Sequence, residues 1–221
     1  MTTKNIAIIG GTGELGSGLA RRWARAGRTV VLGSRSADKA CAVASELTAV
    51  LGVEVAGASN RDAAQVGEIV VIAVPWSNHD ATLSEIAEFL PGKIVVDAVV
   101  PLVPPKVSTV QLPDGGSAAQ RAQSLLGPSV RVVGGFHNVG AKKLLDDEAI
   151  ECDVLVCGDD KEARQVVITL ARDAGMRGID AGALANVVAC EALTSILIGI
   201  NRTYKVTGAG IRIMGIPELN G

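Results

Sequence analysis

The chain has 221 residues, of which 48% are hydrophobic, 20% charged and 2% aromatic, and its formal net charge is −2. This charge provides no basic surface for nucleic acid, and so few aromatic residues do not form a base-stacking platform, so we predict no nucleic-acid partner. Four cysteines without a CxxC spacing and only two histidines predict free thiols in a reducing cytoplasm and no metal site.

Short aliphatic runs alternate with helical patterns through the first part of the chain. The pattern predicts strands at residues 6–9, 29–32, 53–56, 69–74 and 94–97, and helices at residues 14–26, 37–51 and 79–90. Gly27 is expected to end the first helix and Ser36 to cap the second. This alternation is typical of βαβ units with a parallel sheet.

The second part of the chain begins with a proline-rich segment, residues 99–116, which excludes a regular helix or a central strand. Beyond this loop we predict helices at residues 117–126 and 161–174, strands at 131–135, 153–157 and 178–181, a long apolar helix from about Ala183, and an irregular tail from 208 to 221. The predicted fold is therefore α/β, a Rossmann-type doubly wound, mostly parallel sheet (residues 1–182) with a small helical C-terminal extension (residues 183–221).

The apolar stretch at residues 183–200 has the length of a membrane span. Asn186 and Glu191 lie near its middle, where they would be costly in lipid. We therefore predict a helix buried in the core or in a subunit interface, and no membrane.

A glycine motif follows the first predicted strand and precedes the first predicted helix, which is the position of a dinucleotide-binding turn. The first glycine is expected to allow the tight turn, the second to let the backbone approach the diphosphate, and the third to allow close helix–strand packing. The motif consists of Gly11, Thr12, Gly13, Glu14, Leu15 and Gly16.

The end of the second predicted strand indicates which dinucleotide binds. NAD-binding sheets place a carboxylate there for the ribose 2′-hydroxyl. This chain has Ser34 and Arg35 instead, with Lys39 one helical turn further on. A guanidinium and an ammonium without a carboxylate favour the 2′-phosphate of NADP, although both cations are also compatible with ordinary solvated side chains.

Two further segments lie at predicted carboxyl ends of strands, where such sheets bind ligands. Pro75 and Trp76 follow the fourth strand, and Trp76 is expected either to flank the nicotinamide or to cap the core. His137 and Asn138 follow a glycine pair, and His137 is either a ligand contact or a satisfied structural histidine. Hydride transfer requires only that two carbons be held together in a dry cleft, so no catalytic acid or base is assigned with certainty, and His137 is the one candidate.

Several motifs, in this order and spacing, resemble the coenzyme F420-dependent NADP oxidoreductase family over nearly the whole chain. The segments that carry the resemblance are Gly10 to Gly16, Gly33-Ser34-Arg35 with Lys39, Val74-Pro75-Trp76, Ser117-Ala118-Ala119-Gln120, Phe136-His137-Asn138, Cys157-Gly158-Asp159-Asp160 and Ile200-Asn201-Arg202. The loop from Val99 to Pro105 is the part that matches least.

The resemblance implies reversible hydride transfer between NADP(H) and C5 of the deazaflavin coenzyme F420, in a homodimeric enzyme. By analogy, residues 12–15 hold the diphosphate, and Pro75, Trp76 and Ala141 border the nicotinamide. The deazaflavin would contact Pro101, His137, Asn138, Ala209 and Gly210. Two alternatives remain: reduction of a free flavin, a ferric chelate or an imine at the same NADP site, and a non-catalytic NADP-binding redox sensor.

Overall fold

The computed structural model describes residues 4–146 and 150–216, and these residues form one eight-stranded sheet. The strands are β1 (Ile6–Ile9), β2 (Val30–Ser34), β3 (Ala56–Ser59), β4 (Ile69–Ile72), β5 (Ile94–Asp97), β6 (Arg131–Gly134), β7 (Asp153–Gly158) and β8 (Arg177–Asp180). Their order in the sheet is β3-β2-β1-β4-β5-β6-β7-β8. Neighbouring strands are parallel except β6 and β7. The predicted Rossmann-type, mostly parallel sheet is confirmed.

Helices cover both faces of this sheet. They are α1 (Glu14–Arg25), α2 (Ala37–Leu51), α3 (Asn60–Val66), α4 (His79–Ile86), α5 (Ala118–Leu126), α6 (Lys161–Asp173) and α7 (Val187–Tyr204). The core on one face contains side chains of α1, α2 and α6, and the core on the other contains side chains of α3, α4, α5 and α7. The central strands β1 and β4 are wholly aliphatic, as expected for strands with both faces buried.

The helix ends follow the predicted local chemistry. Gly27 follows α1 with φ +79°, the conformation that favours glycine after a helix. The Ser36 hydroxyl accepts the N–H of Lys39 at 3.3 Å and caps α2, as predicted. The predicted irregular tail has no helix or strand at residues 208–216. Its last five positions, 217–221, and positions 1–3 of the predicted first domain lie outside the described residues.

The third strand lies three residues later than predicted, at Ala56–Ser59 instead of residues 53–56. The strand was predicted too early because Val55 is apolar. In the structure the Val55 N–H donates to the Thr48 hydroxyl of α2 at 3.0 Å, so Val55 lies in the connection between α2 and β3. The strand forms where the side chains are small. At Gly57 a Cβ would lie 2.4 Å from the carbonyl carbon of Ala40, so α2 packs on the backbone of β3.

Helix α3 was not predicted, because Val66 is its one large apolar side chain and a single such residue gives no helical hydrophobic pattern. Its N-terminus has a recognisable signal, since the Ser59 hydroxyl accepts the N–H of Asp62 at 3.2 Å. The apolar helix α7 begins at Val187, after a short 3₁₀ turn at Leu184–Asn186, four residues later than expected. The stretch Leu184–Tyr204 is long and apolar enough to cross a membrane by length and composition, and 33% of its most apolar part is buried.

Candidate functional site

The glycine loop joins β1 to α1, and its tight turn is made one residue before the predicted motif. Gly10 has φ +81°, and a Cβ there would lie 2.6 Å from the carbonyl oxygen of Ala73. Gly11 and Gly16 are required by packing, since a Cβ would lie 2.8 Å from the Ile8 oxygen and 2.7 Å from the Gly10 oxygen respectively. The left-handed turn residue is therefore Gly10, and the predicted turn role of Gly11 is replaced by close packing.

Gly13 differs from the other motif glycines. The nearest atom to a Cβ at Gly13 is the Gly10 oxygen at 3.4 Å, which is an ordinary contact, and the residue is exposed. Gly13 is also the N-cap residue of α1, and no side chain caps this helix. The first N–H groups of α1 are therefore available to an anion, which is the arrangement that binds a diphosphate.

The predicted 2′-phosphate residues lie beside this loop. One cleft of about 290 Å³ is lined by the glycine loop, the end of β2, the start of α2 and the segment after β4. Its lining residues are Gly10, Thr12, Gly13, Ser34, Arg35, Ser36, Lys39, Asn60, Ala73, Val74, Pro75, Asn78 and Thr82. None of them is Asp or Glu. Arg35 and Lys39 are exposed and have no ion-pair partner within the described part of the chain. The cleft therefore combines an uncapped helix N-terminus with two unpaired cations.

Trp76 does not line this cleft. It begins a 3₁₀ turn, Trp76–Asn78, and is half-buried. Its ring packs on the imidazole of His79, with the ring centroids 5.3 Å apart and the planes tilted by 34°. Its position after β4 still places it at the carboxyl edge of the sheet, next to Pro75.

His79 and Asp97 form a buried pair that the sequence interpretation did not identify. His79 Nε2 lies 2.7 Å from Asp97 Oδ2, and both side chains are fully buried. Asp97 Oδ1 accepts the N–H of Val99 at 3.0 Å. Burial opposes protonation of His79, but the hydrogen bonds and charges of Asp97 and Asp80 raise its pKa above the ordinary value. The available signal was an aspartate ending an aliphatic strand, where a buried carboxylate requires a partner.

His137 lies after β6 and directly follows Phe136, which is held in place by core packing. Phe136 has φ +66°, is fully buried and meets Trp23 edge-to-face with the ring centroids 5.6 Å apart. His137 is 5% exposed, and neither ring nitrogen has a hydrogen-bond partner among residues 4–146 and 150–216. Burial lowers the pKa of His137 to about 4, although Asp97 opposes this shift. Both ring nitrogens are buried, and His137 lines neither the dinucleotide cleft nor the cleft beside Asn138, so its contact with a ligand stays a prediction.

Asn138 and the C-terminal tail border a larger cleft of about 620 Å³. The Asn138 amide donates to the Asp153 carbonyl at 2.8 Å and to Cys152 Sγ at 3.0 Å, which fixes it against β7. Gly210 lines the same cleft, where a Cβ would lie 3.0 Å from Cys152 Sγ. Ala209 donates its N–H to Asn201 Oδ1 at 2.9 Å. The structure thus brings Asn138 and Gly210 together in one cleft.

Pro101 and Ala141 lie away from that pair. Pro101 is buried in the loop after β5 and does not line the larger cleft. Ala141 begins a 3₁₀ turn, Ala141–Leu145, and faces Glu14 across a cleft of about 270 Å³. Arg22 of α1 holds this turn by donating to the carbonyl oxygens of residues 143 and 144, both at 3.1 Å. Leu15, the remaining motif residue, packs against the core beside the loop.

Glu191 is a second buried carboxylate whose role the sequence did not reveal. It is 2% exposed, and its oxygens accept the N–H groups of Ala118 at 2.7 Å and Ala119 at 3.1 Å. Burial raises the pKa of Glu191 to about 8, while these two hydrogen bonds oppose the shift. Glu191 therefore joins α7 to the N-terminus of α5.

The chain is similar to known proteins of one family. A family model described as NADP oxidoreductase, coenzyme F420-dependent, matches residues 5–101, which include the glycine loop, Arg35 and Pro75. The F420-dependent NADP reductase of Methanocaldococcus jannaschii is 41% identical over 96% of this chain and 98% of that protein. The F420-dependent NADP reductase of Methanothermobacter thermautotrophicus is 39% identical over 96% of both chains. A candidate F420-dependent NADP reductase from Arthrobacter sp. FB24 has a similar crystal structure, with a TM-score of 0.80 and 27% identity over 94% of this chain and 98% of that one.

Proposed function

Because the chain belongs to the coenzyme F420-dependent NADP oxidoreductase family, we propose that it transfers a hydride reversibly between NADP(H) and the deazaflavin coenzyme F420. The observation that carries the proposal is the cleft in which the uncapped N-terminus of α1 meets two unpaired cations and no carboxylate. This cleft fits a diphosphate and a 2′-phosphate, which is the combination that distinguishes NADP from NAD.

We assign the NADP contacts by their place in this cleft. The backbone at residues 11–16 would hold the diphosphate, and Ser34, Arg35 and Lys39 the 2′-phosphate. Pro75 and Trp76 follow β4, and Ala141 faces the glycine loop from the opposite side. These three residues would border the nicotinamide.

The deazaflavin contacts rest on His137, whose two unsatisfied ring nitrogens suit the carbonyl and N–H groups of such a ring. Asn138, Ala209 and Gly210 would form the wall of the larger cleft, and Pro101, which is buried in the loop after β5, would contact the ring from that loop. When bound, the deazaflavin ring supplies the carbon that accepts or returns the hydride. The protein would orient the two rings and exclude water, and His137, neutral at physiological pH, would act as a hydrogen-bonding group.

The remaining assignments concern the whole chain. Residues 1–182 would form the NADP-binding domain, and residues 183–221 an extension that closes the substrate cleft. The apolar side chains Ile196, Ile200 and Tyr204 are exposed at four-residue spacing on α7, and we assign this face to a homodimer interface. The enzyme would be cytoplasmic, because the hydrogen bonds of Glu191 suit a helix of a soluble protein better than a membrane span.

The test is to mix the purified protein with NADPH and oxidised coenzyme F420, and separately with FMN and with ferric citrate, while following each chromophore. We expect rapid oxidation of NADPH only with F420. Turnover with FMN or ferric citrate but not with F420 would replace the proposal by a flavin or ferric reductase. Tight NADPH binding without turnover of any acceptor would indicate a redox sensor.

A further inference from the structure

The loop at residues 98–117 connects β5 to α5 and leaves the sheet at the edge that carries the proposed site. Its start is next to the His137 segment, since Asp97 pairs with Gly134 and the Gly135 N–H donates to the Asp97 carbonyl at 3.2 Å. Most of the loop from Val103 to Val110 is exposed or half-buried. A loop with so many exposed residues needs contacts with the rest of the protein to hold one conformation.

The start of the loop is anchored by Asp97. One carboxylate oxygen accepts the Val99 N–H at 3.0 Å, and the other is bound to His79 at 2.7 Å. The Ala98 N–H also donates to the Ile72 carbonyl of β4 at 3.1 Å. The first residues of the loop are therefore fixed to the carboxyl ends of β4 and β5.

The end of the loop is anchored by Glu191, which reaches across from α7. Its two oxygens accept the first two N–H groups of α5, at Ala118 and Ala119. Ser117 is fully buried, and its hydroxyl caps the same helix by accepting the N–H of Gln120 at 3.1 Å. Two buried carboxylates, both at backbone N–H groups, thus hold the two ends of one exposed loop.

The two anchors also interact with each other. The charge of Asp97 raises the pKa of Glu191, and the charge of His79 lowers it, so the three groups lie within one electrostatic neighbourhood. None of the three lines the dinucleotide cleft. Changes at the anchors are therefore expected to affect the loop without disturbing the glycine turn.

We propose that Asp97 and Glu191 are positioning residues for the second substrate, because they fix both ends of the loop that leaves the sheet beside the His137 segment. The inference rests on the proposed function. The loop carries the exposed apolar side chains Val103, Val110 and Leu112, which are 45%, 40% and 60% accessible. With both ends fixed, these apolar groups form a defined surface that a flat apolar ring can cover.

The experiment compares Glu191→Gln with Asp160→Asn, in full-length protein. In E191Q an amide NH₂ faces a backbone N–H, so one anchoring bond is lost. Asp160 caps α6 through the N–H of Ala163 at 2.7 Å and lines a separate cleft, so D160N makes the same chemical change away from the loop. Binding of oxidised F420 and of NADPH is measured by calorimetry, and backbone exchange by hydrogen–deuterium mass spectrometry.

We expect E191Q to weaken F420 binding on the order of fivefold, as for one lost hydrogen bond, while the Kd for NADPH changes less than twofold. Deuterium uptake at residues 98–119 should rise in E191Q and remain unchanged in the glycine loop, and F420 should slow this uptake in the wild-type protein. D160N should leave both affinities unchanged. If E191Q is not folded, Ser117→Ala is measured in its place, because it removes the cap of α5 at the same end of the loop, and the expectation is the same.

Two results would overturn the inference: equal weakening of F420 and NADPH binding in the anchor variant, or no change in either. Uptake at residues 98–119 that F420 does not alter in the wild-type protein would also contradict it. If the wild-type protein binds F420 and a variant gives one of these contrary results, only the inference about the anchors fails and the proposed function stands. Wild-type protein that does not bind F420 overturns both.

Discussion

Arg35 is the residue on which the choice of NADP over NAD depends. It is exposed in the dinucleotide cleft with Lys39 as its cationic neighbour. We expect Arg35→Ala to weaken NADPH binding by roughly 10- to 100-fold, because one charge-assisted hydrogen bond to the 2′-phosphate is lost. NADH is the matched control, since it lacks only that phosphate, and its Kd should not change. Equal weakening of both nucleotides, measured by fluorescence titration, would show that Arg35 has another role.

The motif glycines provide a second prediction at the residue scale. A Cβ at Gly13 meets only an ordinary contact, whereas at Gly16 it would lie 2.7 Å from a backbone oxygen. Gly16→Ala should therefore destabilise the fold by about 1–3 kcal/mol, measured by urea denaturation. Gly13→Ala should cost less stability than Gly16→Ala, since it changes only the N-cap of α1, but should weaken NADPH binding at least roughly tenfold, because the new methyl group occupies the diphosphate approach. A G13A protein with unchanged NADPH affinity would contradict the assigned position of the diphosphate.

The sequence identified the glycine loop and the cationic strand end because these residues are neighbours along the chain. It did not show which glycine makes the turn, since Gly10 and Gly11 are indistinguishable in a run of glycines. It also did not reveal the His79–Asp97 pair, because the two residues are separated by 18 positions and meet only through the packing of α4 on β5. The sequence signals only that Asp97, at the end of an aliphatic strand, needs a buried partner, and it does not show which residue that partner is.

At the scale of elements, the pairing of α7 with α5 through Glu191 predicts a pH dependence of stability. The folded-state pKa of Glu191 is about 8, above its ordinary value of 4.5, so the folded state binds this proton more tightly than the unfolded state. Its contribution is fully present below about pH 4.5 and is lost as the pH rises through 8. His79, whose pKa is also raised, acts in the same direction above pH 6.5.

We therefore expect the free energy of unfolding to fall between pH 5 and pH 9, with Glu191 contributing at most about 1.4 kcal/mol per pH unit. Glu191→Gln should flatten this slope, because the titrating group is removed. The comparison is a series of urea denaturation curves for both proteins across this range. A wild-type slope that E191Q leaves unchanged would show that Glu191 is ionised in both states.

The accuracy of the predicted elements depended on the size of their side chains. Buried strands such as β1 and β5 were predicted with correct bounds because they are short aliphatic runs. The errors fall at β3, which is built from Ala, Gly and Ser where α2 approaches the sheet closely, and at α3, whose buried apolar residues are the alanines Ala63 and Ala64. Small residues carry little hydrophobic pattern, and their position is set by the packing of neighbouring helices.

At the scale of the whole molecule, the βαβ alternation was sufficient to predict the Rossmann-type sheet, because right-handed crossovers leave few arrangements for such a pattern. The antiparallel entry of β7 was not predicted. Because β7 is antiparallel to β6, it begins at the carboxyl edge of the sheet, where β6 ends. The turn Ala141–Leu145 lies between these two strands in the chain and lines a cleft with Glu14, so the less regular part of the chain contributes to the proposed site.

The exposed face of α7 gives a prediction for the assembled molecule. Ile196, Ile200 and Tyr204 are 49%, 37% and 72% accessible and lie on one side of the helix. Since a stable dimer buries about 800 Å² per partner, a charge buried within such a face should prevent association. We expect Ile196→Lys to convert a dimer into a monomer in light scattering after size-exclusion chromatography. Val50→Lys is the control, because Val50 is 69% accessible on α2, and it should remain dimeric. An I196K protein that stays dimeric would place the interface elsewhere, and a monomeric wild-type protein would exclude the dimer altogether.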